Sequence, residues 1–312
     1  PLVFGRRYSS AMPARPDGLF GPGWSCPFQM YLHKDLDGYH LLAEDGETLI
    51  PFDDANGALD SGHALRNPGM FHELRRDGAR FVVTRWNPDT QEVVRYVFAG
   101  RSEAGPWPLS GRYTVSGQGI EVERDPKERI LALRQRREGR GLRLVYDPSG
   151  RLAEVLLTAR AHERLILRYR YDSSGRLCAM VDALGQRCAY EYDDQGRMLR
   201  EVNLGGMVYH FRFDSGGRCI ETTGLDGYGR NTLQIEERAR ITQVTDALDH
   251  VTLYKWNESG QVEEQISPLG NVAKTAYDEE GRIVAKTDPT GATTEYKYDE
   301  RGDRIEVTSP TG

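Results

Sequence analysis

Residues 277–297 read YDEEGRIVAKTDPTGATTEYK, and the same opening returns at once as Tyr298-Asp299…Gly302. An aromatic residue and an aspartate lead through two residues into Gly281-Arg282. A short run, Ile283–Thr287, reaches a second turn signal, Asp288-Pro289-Thr290-Gly291, and another run leads back to an aromatic residue. Two turns in 21 residues leave about six or seven residues per run, which at about 3.3 Å per residue is an ordinary strand of about 20 Å. The unit is two β-strands and two turns.

The opening turn recurs upstream as Tyr146-Asp147…Gly150-Arg151, Tyr171-Asp172…Gly175-Arg176, Tyr192-Asp193…Gly196-Arg197, Phe213-Asp214…Gly217-Arg218 and Trp256-Asn257…Gly260-Gln261. Steps of 21 residues join 171, 192 and 213, and again 256, 277 and 298. The gap of 43 residues between 213 and 256 holds two units if one is a residue longer, and a decayed copy, Ile235-Glu236…Ala239-Arg240, sits where it is needed. The second turn keeps the same beat at Asp182–Gly185, Asn203–Gly206, Gly224–Gly227, Asp246–Asp249, Ser267–Gly270, Asp288–Gly291 and Ser309–Gly312. A fixed period of this length marks a repeat architecture and outranks other local signals. Arg124-Asp125…Arg129 reads as a first copy without the aromatic residue or the glycine.

The residue types suit turns. Aspartate can accept from backbone N–H groups two residues on, and glycine permits positive φ where the chain reverses. The arginine can cover the preceding aromatic residue or pair with a neighbouring unit's aspartate. A second aromatic residue sits two places earlier in Tyr169/Tyr171, Tyr190/Tyr192, Phe211/Phe213, Tyr254/Trp256 and Tyr296/Tyr298. Residues two apart share a strand face, so aromatic ladders occupy one face and Arg170, Glu191, Arg212, Lys255 and Lys297 the other.

Before the repeats, residues 1–25 are irregular and rich in glycine and proline, with Trp24 as an aromatic plug anchoring a loop. Residues 28–100 read as a β-meander, with hairpin signals at Asp37-Gly38, Asp45-Gly46, Asp77-Gly78 and Asn87-Pro88-Asp89-Thr90. Residues 101–111 read as a connector, and residues 127–143 as a short helix or an irregular strand. The expected organisation is an all-β chain: an N-terminal β segment over 1–110, then a repeat ribbon over 111–312.

Composition narrows the function. The net charge of −6 argues against a dedicated nucleic-acid binder. No apolar run approaches the roughly 18 residues of a membrane span. The four cysteines, Cys26, Cys178, Cys188 and Cys219, form no CxxC pair. With Ala183 and Leu184 as central turn residues, Cys178 pairs with Ala189 and Cys188 with Ala179, which sends the thiols to opposite faces and predicts free cysteines. His72-Glu73 lacks the second histidine of HExxH, and Gly23-Trp24-Ser25-Cys26-Pro27 lacks the closing glycine of GxSxG. Adjacent carboxylates such as Asp53-Asp54 and Glu279-Glu280 lie in turns or face opposite ways. The run Arg134, Arg136, Arg137, Arg140 and Arg143 reads as a solvated face or as a contact with another part of a longer chain, rather than as a phosphate-binding patch. No catalytic, metal or cofactor residue is expected, because an active site is one constellation and not one per unit.

The YDxxGR turn with a second DxxG turn at this period resembles the YD repeat of Rhs proteins, shared with Tc toxin shell subunits and teneurins. Arg7-Tyr8-Ser9-Ser10 followed by Gly21-Pro22-Gly23-Trp24-Ser25 resembles the segment before the repeats in bacterial Rhs proteins. The resemblance implies a β-ribbon spiralling into a hollow shell around a C-terminal toxin, often delivered by type VI secretion. It implies as partners the rest of the shell, the enclosed toxin and, through a preceding region, secretion spike proteins. It also implies synthesis in the bacterial cytoplasm followed by delivery to a target cell. Tyr171, Asp172, Gly175, Arg176, Tyr192, Asp193, Gly196, Arg197, Tyr277, Asp278, Gly281, Arg282, Tyr298, Asp299 and Gly302 are then structural turn residues. Family shells usually close with two DPxG elements 18 residues apart. Here 17 residues separate Gly291 from Ser309, and serine replaces the second aspartate, so both are read as ordinary second turns.

The chain opens on Pro1 and stops inside a turn, and reads as a fragment without the toxin or a PAAR-type tip. The alternative reading is a surface-displayed adhesion or carbohydrate-binding array. About 18 strands at about 4.8 Å span about 86 Å, near half of one winding around a toxin of about 130 residues. The isolated piece is therefore expected as an open sheet that associates through its last edge or its aromatic face.

Overall fold

Runs rich in β-branched and aromatic residues, cut at short intervals by Asp and Gly, favour strands and hairpins over any longer-range helix. The computed structural model describes residues 4–12, 18–102, 104–136, 139–160 and 162–311; Arg137 and Gly312 lie outside them. The described residues are strands and turns, with one 3-10 turn at Leu225–Gly227. They fall into two compact units, one of residues 1–190 and 194–197, the other of 191–193 and 198–312.

The first unit begins with a small ladder, β1 (Arg7–Tyr8) on β2 (Trp24–Ser25). A meander follows: β3 (Tyr31–Lys34), β4 (Gly38–Leu42), β5 (Leu49–Asp53), β6 (Leu65–Asn67), β7 (His72–Asp77), β8 (Arg80–Trp86), β9 (Val93–Phe98) and β10 (Trp107–Thr114). This meander curls back on itself. Trp107 and Pro108 of β10 pair with Leu32 and Tyr31 of β3, while Gly111–Tyr113 of the same strand pair with β11 (Gly119–Arg124). One strand thus closes a ring and launches the ribbon. Between β5 and β6 the Asn67 side-chain amide donates to the Pro51 carbonyl at 2.9 Å. Inside lie Tyr39, Leu41, Ile50, Phe52, Leu74, Val83, Tyr96, Phe98 and Leu109, none more than 2% exposed. The Phe81 ring lies 4.4 Å from Trp107 and 5.5 Å from Tyr39.

The ribbon continues in the first unit through β12 (Ile130–Gln135), β13 (Arg140–Tyr146), β14 (Leu152–Ala159), β15 (His162–Tyr171), β16 (Leu177–Asp182) and all but the last two residues of β17 (Arg187–Tyr192). The second unit holds β18 (Met198–Val202), β19 (Val208–Phe213), β20 (Cys219–Gly224), β21 (Asn231–Glu236), β22 (Ile241–Thr245) and β23 (Val251–Trp256). It ends with β24 (Val262–Ile266), β25 (Val272–Tyr277), β26 (Ile283–Thr287), β27 (Thr293–Tyr298) and β28 (Arg304–Thr308). The span 213–256 contains the degenerate unit as β21 and β22, and the extra residue lies in the long turn 225–230. Within the ambiguous stretch 127–143, Ile130–Gln135 is a strand and a second strand, Arg140–Tyr146, begins.

Two expectations are corrected. The connector is shorter than 101–111, because Trp107 is drawn into β10 by its ring contacts and its pairing with β3. The Cys178/Cys188 hairpin has Ala179 opposite Ala189 and Met180 opposite Cys188. Gly185, at φ +81, occupies the loop and lengthens it to three residues. Both thiols therefore lie on one face, in a diagonal relation about 7–8 Å apart, beyond disulfide reach. All four cysteines are free, though not for the reason the two-residue loop suggested.

The N-terminal segment lies across the repeats of the first unit. Trp24 stands between Tyr8 and Tyr190, with ring centroids 5.3 and 5.0 Å away. Arg6 reaches over the Trp24 and Tyr190 rings at 5.6 and 5.7 Å and donates to the Met180 sulfur at 3.0 Å. Phe20 packs on Tyr169 at 5.1 Å. Tyr169 and Tyr190 are thereby 5% and 3% exposed. Trp24→Ala should lower unfolding free energy by about 3–5 kcal/mol in chemical denaturation; a loss below about 1 kcal/mol would show that Trp24 is not the anchor of this segment.

Candidate functional site

The chemistry of this chain is concentrated in its repeated opening turn. In the turn after β15, Asp172 Oδ1 accepts from the Ser174 and Arg176 backbone N–H groups, both at 2.9 Å. Its other oxygen accepts from Arg176 Nε at 2.8 Å. Gly175, at φ +80, supplies the left-handed residue that completes the reversal. The carboxylate thus satisfies the turn's backbone and holds the arginine side chain in one orientation.

That orientation decides what the arginine touches. Arg129, held by Asp125 at 2.7 Å, lies over the Tyr146 ring at 4.9 Å. Arg151, held by Asp147 at 3.0 Å, lies over Tyr171 at 4.6 Å. Arg282, held by Asp278 at 2.6 Å, lies over Tyr298 at 4.9 Å. Each covered tyrosine then donates its hydroxyl to the carbonyl just after that arginine: Tyr146 to Ile130 at 2.6 Å, Tyr171 to Leu152 at 2.7 Å and Tyr298 to Ile283 at 2.8 Å. The arginine therefore binds its own aspartate and covers the tyrosine of the following unit. This corrects the expectation that it would cover the preceding aromatic residue or a neighbour's aspartate: the strand register carries the next unit's ring over the turn.

Departures from the motif show how the lock works. At Asn257…Gln261 both members are neutral. Asn257 Oδ1 still accepts the Gln261 backbone N–H at 2.9 Å, and Gln261 Nε2 donates to the Gly281 carbonyl at 2.8 Å. Tyr277 still donates to Val262 at 2.9 Å. At Asp214…Arg218 the following unit offers Ile235 in place of a ring, and Arg218 reaches Glu237 instead. In the degenerate turn itself Ala239 replaces glycine, and Arg240 takes the positive φ of +54. Tyr192 ends β17, with Asp193, Gly196 and Arg197 in the next turn; Gly196 has φ +84, and its carbonyl accepts from Tyr8 at 2.9 Å. In the last turn Asp299 accepts from the Arg301 and Asp303 backbones at 2.9 Å, Gly302 has φ +84, and aspartate stands where the arginine would be.

The opposite face carries cross-strand ion pairs at direct ladder positions: Arg212–Glu221 at 2.6 Å, Lys255–Glu264 at 2.6 Å and Lys297–Glu306 at 2.8 Å. Members of the arginine run are paired too, Arg134 with Glu123 and Arg143 with Glu163. Cys26 is 1% exposed, and burial outweighs a backbone hydrogen bond and Arg124 to push its thiol up to about 12. His72 is lowered to about 4, chiefly by burial, against the opposing effect of a hydrogen bond that its ring N–H donates to the Met70 carbonyl. Among the described residues no group of three or more His, Cys, Asp and Glu is placed to hold a metal ion.

With this geometry in view, the sequence profile of the family described as Teneurin YD-shell matches residues 123–311. The chain belongs to the YD-shell family of repeat proteins. A second profile, a domain of unknown function (DUF6531), matches residues 1–50. The chain is 27% identical over 194 residues to Double-stranded DNA deaminase toxin A of Burkholderia cenocepacia (strain H111), an alignment covering 59% of this chain and 12% of that protein. Similar solved structures include the Photorhabdus luminescens Tc holotoxin pore, with 12% identity, TM-score 0.48, and 87% of this chain and 16% of that one covered. Another is TcdB2-TccC3 without its hypervariable C-terminal region, with 12% identity, TM-score 0.46, and 91% and 17% covered.

Arg151→Ala removes a ring contact and a partly buried ion pair and should cost about 1–2 kcal/mol. Arg218→Ala, which has no ring to lose and whose guanidinium side chain is more exposed than that of Arg151, should cost measurably less than Arg151→Ala; equal losses in denaturant titrations would contradict the lock. Ile235→Tyr should return the missing ring to Arg218 and raise the denaturation midpoint above that of the unsubstituted chain.

The aspartates also set an acid limit. Burial works to raise Asp147 and Asp172, but the following arginine's backbone N–H and guanidinium outweigh it and hold both below the ordinary 3.8. A depressed folded-state value means their stabilisation is present above the unfolded value and lost as pH falls through the folded one. Thermal midpoints should therefore fall as pH drops below 3.8, and this part of the fall should shrink in an Asp147→Asn/Asp172→Asn variant. An unchanged acid slope would rule it out.

Proposed function

We propose that this chain is a stretch of wall in a shell that encloses a toxin domain belonging to the same, longer polypeptide. The observation that carries the reading is the lock itself. Motif side chains are committed to the neighbouring unit, which is what a wall made by repetition requires. Membership of the YD-shell family supports it, as does the resemblance to a curated protein named as a toxin, of which the matched part is 12%. On this reading any enzymatic activity lies in the toxin domain and the chain itself is structural. We further propose synthesis in the bacterial cytoplasm and delivery to a competing cell by type VI secretion, with secretion spike proteins as partners.

The test uses the full gene product that contains this sequence, with a site for a specific protease placed inside the toxin segment. Cleavage should be slower than in the freely exposed toxin domain by about a hundredfold or more, and denaturation of the shell should restore the free rate. Cleavage at the free rate in the native product would refute enclosure and favour a surface-displayed array. Loss of target-cell killing on removal of the type VI apparatus would support the delivery route, and undiminished killing would exclude it.

A further inference from the structure

The segment that covers the repeats of the first unit, residues 4–12 and 18–25, is a body of its own. Among the described residues β1 and β2 pair only with each other and with no ribbon strand. The Ser9 N–H donates to the Gly23 carbonyl at 2.8 Å, and the Tyr8 and Trp24 rings meet, so the two halves of the segment are joined. On the ribbon it is held by side chains and single carbonyls. Phe20 and Trp24 sit on Tyr169 and Tyr190. The Tyr8 hydroxyl donates to the Gly196 carbonyl at 2.9 Å, and the Leu19 carbonyl accepts from the Leu152 N–H and the Tyr171 hydroxyl, each at 3.1 Å. Toward the β4–β5 turn its ties are Ser25 on the Asp45 carbonyl and two long ion pairs of Arg7, with Asp45 at 3.7 Å and Glu47 at 3.5 Å.

Two observations mark this contact as one that opens. Its two sides are far apart in the chain: Arg6 meets Met180 and Tyr190 across 174 and 184 positions, and Tyr8 meets Gly196 across 188. The strands of the seat, β14 to β17, pair with their chain neighbours in short hairpins. The seat therefore forms uncovered, and the segment docks on it afterwards. An uncovered ribbon keeps its pairing, as the second unit shows. There Phe211, Tyr254 and Tyr296 are only half-buried, against 5% and 3% exposure for Tyr169 and Tyr190, yet their strands run in the same ladder. The docked state also leaves a charge poorly matched. The Arg6 guanidinium donates to a thioether and a phenol, no carboxylate among the described residues pairs with it, and its Nε is buried with no hydrogen-bond partner. Lifting the segment returns that group to water.

We propose that residues 4–12 and 18–25 form a strap that lifts from the ribbon as one body, about the turn at Cys26–Gln29, while the sheet beneath stays folded. Lifting is a local opening, separate from unfolding of the ring of β3 to β10. It uncovers Tyr169, Met180, Cys188 and Tyr190, a strip of aromatic and sulfur-bearing side chains that are at most 5% exposed when the strap is down. Cys188 stands opposite Met180, whose sulfur accepts from Arg6, and two positions from Tyr190. Its thiol therefore reports whether the strap is in place. The Leu152 amide, bonded to the Leu19 carbonyl, reports the same event from another strand. The proposal rests on contacts within this chain and is independent of whether a longer product encloses a toxin.

Iodoacetamide labelling of the native chain, read at each cysteine by mass spectrometry, tests this together with native-state hydrogen exchange. Cys178 and Cys219, which are partly exposed, serve as the accessible thiols. The Cys188 thiol and the Leu152 amide should give one common opening constant, about tenfold or more above that of the β8 and β9 amides. That constant should change little with urea below the unfolding transition, because a local opening exposes little surface. Trp24→Ala should speed Cys188 labelling about tenfold or more with unchanged far-ultraviolet circular dichroism, and Arg6→Gln, which keeps every ring, gives a milder second variant. Opening of Cys188 and Leu152 only together with β8 and β9, at the full urea dependence, overturns the proposal. Different constants at the two reporters overturn it as well, since the strap would then not move as one body. So does Cys188 labelling that Trp24→Ala leaves unchanged.

Discussion

A carboxylate that accepts two backbone N–H groups and one guanidinium sits at each well-formed motif turn, and the rest of the ribbon depends on it. Aspartate is the residue for this place because its short side chain returns to the backbone two and four positions on, as at Asp172. The geometry that satisfies the turn also fixes the arginine, and a fixed arginine forms a better platform for a ring than a freely rotating one. The tyrosine completes the arrangement from the next unit by spending its hydroxyl on a carbonyl beside that arginine. Turn formation and unit-to-unit attachment are therefore one event.

The imperfect units separate two roles that the good ones merge. Through 214–262 the backbone ladder runs on without interruption from β19 to β24, although the ring-on-guanidinium contact is lost at Ile235. Hydrogen bonds between strands set the topology, and the side-chain lock adds stiffness to it. The Asn257–Gln261 pair shows that charge is not essential when both partners change together, since the neutral pair still reaches the next turn. In the first unit the aromatic face gains something more, the covering segment with Arg6, Phe20 and Trp24.

What could be read in the sequence follows from the range of each interaction. The repeat, its two turns and the aromatic alternation are local, and the strands appear where the period placed them, including the degenerate pair β21 and β22. The sense of the lock was missed because the residue types permit both directions and only the register selects one. The Cys178/Cys188 register depended on whether Gly185 belongs to strand or loop, a single-residue matter that a DALG tetrad leaves open. Pairing of β10 with β3 joins residues more than seventy positions apart through two backbone partners, and no local pattern announces it. The docking of residues 4–12 and 18–26 was visible only as an aromatic plug at Trp24, since two-residue strands such as β1 and β2 carry no periodicity.

In every lock described, the cation reaches forward along the chain to a ring that has yet to be made when the cation leaves the ribosome. The ribbon therefore has a direction, as a filament with unlike ends does. Its leading end offers a guanidinium awaiting a ring, and its trailing end a ring awaiting a guanidinium. Growth by addition at the leading end lets each new hairpin settle on a finished neighbour, a sequence of short closures and not one long search. The same directionality governs how such a gene can lengthen. Whole units can be gained or lost with the flanking locks rejoined, and a stray residue is absorbed in a loop, as in the turn at 225–230. Within a strand the same stray residue would turn the aromatic face outside in.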